Sequence, residues 1–77
     1  MDKPTKTRDE LRALILAEIS GHPVCPPGMD VAVRQLSRSW GIDCIPPSAG
    51  RIAYADCFSL IAKIAARLQN EFDLRPN

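Results

Sequence analysis

His22-Pro-Val-Cys25, with Cys44 and Cys57 further along, is the sharpest set of chemistry-bearing side chains in the sequence. Zinc favours four His or Cys ligands in a tetrahedron, and two intervening residues suit one close ligand pair. A structural zinc site normally carries two close pairs, however, whereas Cys44 and Cys57 each stand alone. The three cysteines are also an odd number, unlike the even sets of small disulfide-stapled domains. They are expected as reduced, metal-free thiols that pack as small hydrophobes in a reducing cytosol. A Cys25–Cys57 disulfide is another possibility beside the zinc site, favoured only in an oxidising compartment. For nucleophilic catalysis by Cys25 with His22, no Asn, Asp or Glu is placed nearby to orient the imidazole.

Two carboxylates, Asp30 and Asp43, fall where they can be cross-strand neighbours sharing a proton or a cation. Arg34 and Arg38 are close enough in sequence to act instead as their counter-charges. There is no glycine-rich phosphate loop, nucleophile elbow or HExxH segment. No catalytic, cofactor-binding or metal-ligating residue is therefore assigned, and the chain is expected to be non-enzymatic. Basic residues admit a nucleic-acid reading: Lys3, Lys6, Arg8 and Arg12 lie early, with Arg34, Arg38 and Arg51 around the centre. Asp9, Glu10, Asp30 and Asp43 are interleaved with them, and the net charge is only +1. Mixed-charge solubility accounts for that pattern.

These residues have to be positioned by a small fold. At 77 residues the chain is expected to be one domain over 1–77, burying only roughly 60% of its unfolded surface. Extra stability from association, metal or disulfides is natural at that size. An apolar fraction of 45% with 25% charged residues is ordinary for a globular chain. No apolar run reaches the roughly 18 residues of a membrane span, and residues 1–10 lack the apolar core of a secretory signal. A cytoplasmic location with no membrane contact is expected.

Residues 1–6 are short, polar and contain Pro4, and are expected to fray. Thr7-Arg-Asp-Glu10 matches a capping box. Leu11, Leu14, Ile15 and Ile19 then form a helical stripe that Gly21 and Pro23 end, giving a helix over Arg8–Ser20. Proline-rich His22–Gly28 must be irregular. From Met29 to Ile45 the period is two: Met29, Val31 and Val33, then Trp40, Ile42 and Cys44, alternate with smaller or polar residues. Ser37-Arg38-Ser39 suits a hairpin loop. Leu36 and Ile45 break the alternation and point to strand ends or a bulge. Ser48-Ala49-Gly50 is turn-like. Cys57, Leu60, Ile61, Ile64, Leu68 and Phe72 then lie on one side of a second helix within Ile52–Leu74, opposite Asp56, Ser59, Lys63, Arg67 and Asn70. Pro76 stops it near Asp73.

The fold class is thus α+β in the order α-β-β-α, with two helices on one face of a small antiparallel sheet. This order resembles a group of small bacterial proteins of no known activity, through Asp9–Ile19, His22–Cys25 and Ala66–Leu74, about half the chain. The resemblance implies the same plan and transfers no functional residue. An isolated two-stranded sheet is marginal in water and leaves two open edges. The expected function is accordingly an interaction or regulatory protein forming a homodimer through a hairpin edge, or receiving another protein there. The alternative is a nucleic-acid-binding module that uses the arginines and lysines around the hairpin and the start of the first helix. A third strand within Pro46–Tyr54 would weaken the case for association.

Overall fold

The computed structural model describes residues 3–47 and 54–75. In order they form β1 (Thr5–Lys6), α1 (Arg8–Ile19), β2 (Asp30–Gln35), β3 (Trp40–Ile45), α2 (Ala55–Glu71) and β4 (Asp73–Leu74). The α+β class and the helix–strand–strand–helix order stand as expected. The turn anticipated at Ser48–Gly50 and most of the possible third strand lie outside the described residues.

Helix α1 begins where its cap requires. The Thr7 hydroxyl accepts from the Glu10 amide at 3.2 Å, and the Glu10 carboxylate accepts from the Thr7 amide at 2.9 Å. Two otherwise orphaned donors are thereby satisfied reciprocally. At the far end Ser20 is the cap, and Gly21 follows with φ of 78°, a left-handed conformation that costs least without a Cβ. Leu11, Ile15 and Ile19 are buried along one stripe.

Strands β2 and β3 pair antiparallel with Val31 opposite Cys44, Val33 opposite Ile42 and Gln35 opposite Trp40. The ladder is continuous, so Leu36 and Ile45 mark strand ends, not a bulge. Met29, Val31, Val33 and Trp40 are buried against both helices, while Ile42 and Cys44 on the same face are half-buried. Helix α2 contributes Cys57, Ile61, Ile64, Ala65 and Leu68 to the same core, with Asp56, Ser59, Lys63, Arg67 and Asn70 on its exposed side. Leu60 and Phe72 are only half-buried.

The ends of the chain depart from expectation. Helix α2 stops at Glu71, and Phe72 is extended, with φ of −137° and ψ of 146°. The chain then runs as β4 parallel to β1, with Thr5 opposite Asp73 and Lys6 opposite Leu74. The Asp73 amide donates to the Pro4 carbonyl at 3.0 Å and the Arg75 amide to the Lys6 carbonyl at 2.8 Å. Residues 3–6 are therefore held, not frayed. Polarity of side chains says nothing about main-chain pairing, and it is the main chain that binds here. Leu74 is buried beneath this pairing, and the Lys6 ammonium sits 4.9 Å from the centre of the Phe72 ring, within cation–π range.

The core makes a direct prediction. Ile61 and Leu68 are 0% and 3% exposed, so truncating either to Ala should cost about 2–5 kcal/mol, a large part of a small domain's total of about 5–15 kcal/mol. Lys63→Ala, on the exposed side, should be near neutral. Equal urea midpoints for all three variants would place the buried face wrongly.

Candidate functional site

The residues singled out for chemistry are distributed over three places. Cys25 and Cys57 come together: their Cα atoms are 4.9 Å apart and the sulfurs are bonded, a spacing within the normal disulfide range. The expectation of three free thiols is thus corrected. The irregular His22–Gly28 segment lies over the first turn of α2 and presents Cys25 to the buried Cys57. Two cysteines separated by 32 residues carry no sequence mark of that proximity. Cys44 is the remaining free cysteine, and burial followed by the adjacent Asp43 charge pushes its thiol up from its ordinary range. A raised thiol is a poor nucleophile at neutral pH.

His22 is exposed, and its Nδ1 accepts from the Val24 amide at 3.5 Å. Among the described residues no three His, Cys, Asp or Glu side chains converge as a metal would need. Cys25 and Cys57, bonded to each other, are not available as thiolate ligands in this form. An open groove of about 530 Å³ runs beside this segment, between Leu16, Ile19, His22, Pro26 and Met29. No Asp, Glu, Lys or Arg side chain lines it.

The carboxylates also separate. Asp30 lies opposite Ile45 and Asp43 opposite Ala32, so the two are not cross-strand partners. Asp30 Oδ1 accepts from Arg12 Nε at 2.9 Å and from the Val31 amide at 2.8 Å, and Arg12 Nη2 lies 2.9 Å away in the same ion pair. Its counter-charge is therefore Arg12 on α1, not Arg34 or Arg38, because α1 packs directly over β2. These bonds, Arg12 first, hold the Asp30 carboxyl below its ordinary range. Asp43 pairs with Arg34 at 3.6 Å on the outer sheet face.

The basic residues are mostly committed in the same way. Arg67 contacts Glu18 and, at 3.3 Å, Glu71. Lys3 lies 3.8 Å from Asp73 and donates to the Gln69 carbonyl at 3.0 Å. Arg75 reaches back to Thr5. Arg8 on α1, Arg38 in the turn between β2 and β3, and Lys63 on α2 have no acidic partner among the described residues.

What remains is the hairpin. Its outer face exposes Leu36 at 43% and Ile45 at 47%, together with Ala32. Its inner face leaves Ile42 and Cys44 half-covered. The sheet containing them has only two strands among the described residues. Hairpin and inward residues were legible from the alternation, but partial cover at Ile42 and Cys44 had no sequence signal.

Two measurements check this arrangement. Unfolded without reductant, the chain should show one titratable thiol, Cys44, and reduction should raise the count to three; the reduced protein should lose about 3–4 kcal/mol through the larger freedom of its unfolded chain. Three reactive thiols before reduction would refute the pairing. The second concerns acid. A carboxyl depressed in the folded state stabilises above its unfolded pKa, about 3.9 for Asp, and loses that contribution as pH falls through the lower folded value. Asp30, and likewise Glu10, held down first by the Thr7 amide, should make the urea midpoint fall on acidification below about pH 4. Asp30→Asn should give a shallower fall. An identical acid slope in the variant would mean that the Arg12–Asp30 bond does not persist in solution.

Among the described residues no helix is long and apolar enough to cross a membrane. Compared with protein-family models, curated proteins and solved structures, the chain matches none, so the resemblance to small bacterial proteins finds no counterpart there.

Proposed function

We propose that this is a small non-enzymatic interaction protein that forms a homodimer through the edge of its hairpin. The observation that carries this reading is a sheet with only two strands among the described residues, whose β3 strand holds apolar side chains half out of the core. Paired backbone on one side leaves the other side of each strand with donors and acceptors that need partners. A second hairpin supplies them in the right geometry, and a two-fold axis makes the supply mutual.

The nucleic-acid alternative draws less support. Phosphate contact needs cations gathered on one face, whereas Lys3, Arg12, Arg34 and Arg67 are engaged by carboxylates. The bonded Cys25 and Cys57 bear on location. A cytoplasmic protein would hold these sulfurs reduced, so persistence of the bond suits an oxidising compartment better.

Sedimentation at rising concentration tests the proposal. A dimer mass should emerge by hundred-micromolar concentration, a weak to moderate affinity on the ordinary scale. A monomer throughout that range would end the homodimer reading.

A further inference from the structure

We infer that the dimer forms through β3, in the antiparallel register centred on Ile42, with Arg34 of each copy reaching across Gly41 to the partner's Asp43. This rests on the self-association proposed above and adds which edge, which register and which charges.

The edges can be told apart from the hydrogen-bond phase. In an antiparallel pair, residues alternate between those bonded across the ladder and those whose amide and carbonyl point away. The Leu36 amide donates to the Ser39 carbonyl at 2.9 Å, so Leu36 and Ser39 are a bonded pair. Two steps on, Arg34–Gly41, Ala32–Asp43 and Asp30–Ile45 are the bonded pairs that follow. Two further bonds agree with this phase. The Val31 amide leaves the ladder for Asp30 Oδ1, and the Trp40 carbonyl faces outward to accept from Gln69 Nε2 at 2.5 Å. The outward edge of β2 thus carries Val31, Val33 and Gln35, and that of β3 carries Trp40, Ile42 and Cys44.

These two edges are not equivalent. On β2, the Val31 amide is capped by the Asp30 carboxylate, which Arg12 holds in place. A capped donor beside an ion pair blunts that edge against a docking strand. On β3, the outward groups of Ile42 and Cys44 have no hydrogen bond to any described residue, and their side chains are the half-covered ones of the inner face.

Symmetry then limits the register. A second β3 must set outward residues against outward residues. Centring on Asp43 puts that carboxylate directly opposite its own copy, an unfavourable pair. Centring on Cys44 sets Ile42 against Pro46, which has no amide to give. Centring on Gly41 makes every bonded pair depend on Trp40, whose carbonyl already serves Gln69. Centring on Ile42 leaves the central pair of bonds unencumbered and sets Gly41 opposite the partner's Asp43.

That last juxtaposition provides charge complementarity. Arg34 faces Gly41 across the hairpin, and a Cβ added at Gly41 would lie 3.9 Å from Arg34 Nε. The guanidinium therefore lies along a position with no side chain, already 3.6 Å from Asp43 of its own copy. The Leu36 side chain lies nearer still to that position, its Cδ1 at 3.2 Å, so the guanidinium reaches toward the partner's Asp43 alongside Leu36. Each guanidinium sits between two carboxylates and each carboxylate between two guanidiniums, along a continuous sheet of four strands.

Cysteine cross-linking in a Cys44→Ser background tests the edge and the register. At the centre of this register two copies of residue 42 stand about 5.5 Å apart, within disulfide reach. Ile42→Cys should give a covalent dimer on mild oxidation, and Val33→Cys on the β2 edge should not. Independently, Asp43→Asn, exposed and outside the core, should weaken the wild-type dimer several-fold at low salt and little at high salt. In the Asp43-centred register the same change would tighten it. A dimer cross-linked through Val33→Cys, or tightened by Asp43→Asn, overturns this inference while leaving self-association standing. A wild-type chain that stays monomeric removes both.

Discussion

Burial of Trp40 is the constraint on which the rest of the structure depends. The largest side chain in the chain is 0% exposed, and an indole can be buried at low cost only if its N–H finds an acceptor. The acceptor is the Phe72 carbonyl at 3.1 Å. That carbonyl is available because α2 ends at Glu71 and the next residue turns extended. The return bond from Gln69 Nε2 to the Trp40 carbonyl ties the same helix end to the start of β3. A fully helical Phe72 would aim its carbonyl along the helix axis and leave the indole without this partner.

The same helix end explains the packing at the chain termini. Once Phe72 is extended, Asp73 and Leu74 emerge alongside Thr5 and Lys6, and Leu74 closes the core beneath them. Two residues of parallel pairing are weak alone. They persist because the ion pair of Lys3, the Lys6–Phe72 contact and the burial of Leu74 act on one short segment. At the opposite end of α2, the Cys25–Cys57 bond anchors the proline-rich connection. Helix α2 is thus fixed at both ends by partners remote in sequence, which suits a domain too small to rely on core area alone.

That economy leaves the hairpin as the least finished part. Helix α1 covers β2 and supplies Arg12 to Asp30, whereas β3 relies on Trp40 at one end and has half-covered Ile42 and Cys44 beyond it. The asymmetry between strands is what distinguishes one edge from the other. It also locates the charge pair Arg34–Asp43 on the outer face, beside Gly41, over which the Leu36 and Arg34 side chains both lie.

By itself the sequence determined the local structure. The capping box at Thr7 and Glu10, the stripe Leu11–Ile15–Ile19, the alternation through Val31, Val33 and Trp40, and the stripe Cys57–Ile61–Ile64–Leu68 are short-range patterns, and each element formed where its pattern lay. The need of Trp40 for an acceptor was also legible, because it follows from the side chain alone. Only the tertiary structure decided which acceptor, that Cys25 meets Cys57, that Asp30 answers Arg12, and that Lys6 and Leu74 pair. Each of these joins residues on different elements through their packing angle and main-chain direction, which no local period encodes. The phase of the hairpin ladder belongs with them: alternation names the inward side chains, but which amides face the free edge depends on how the turn closes at Leu36 and Ser39.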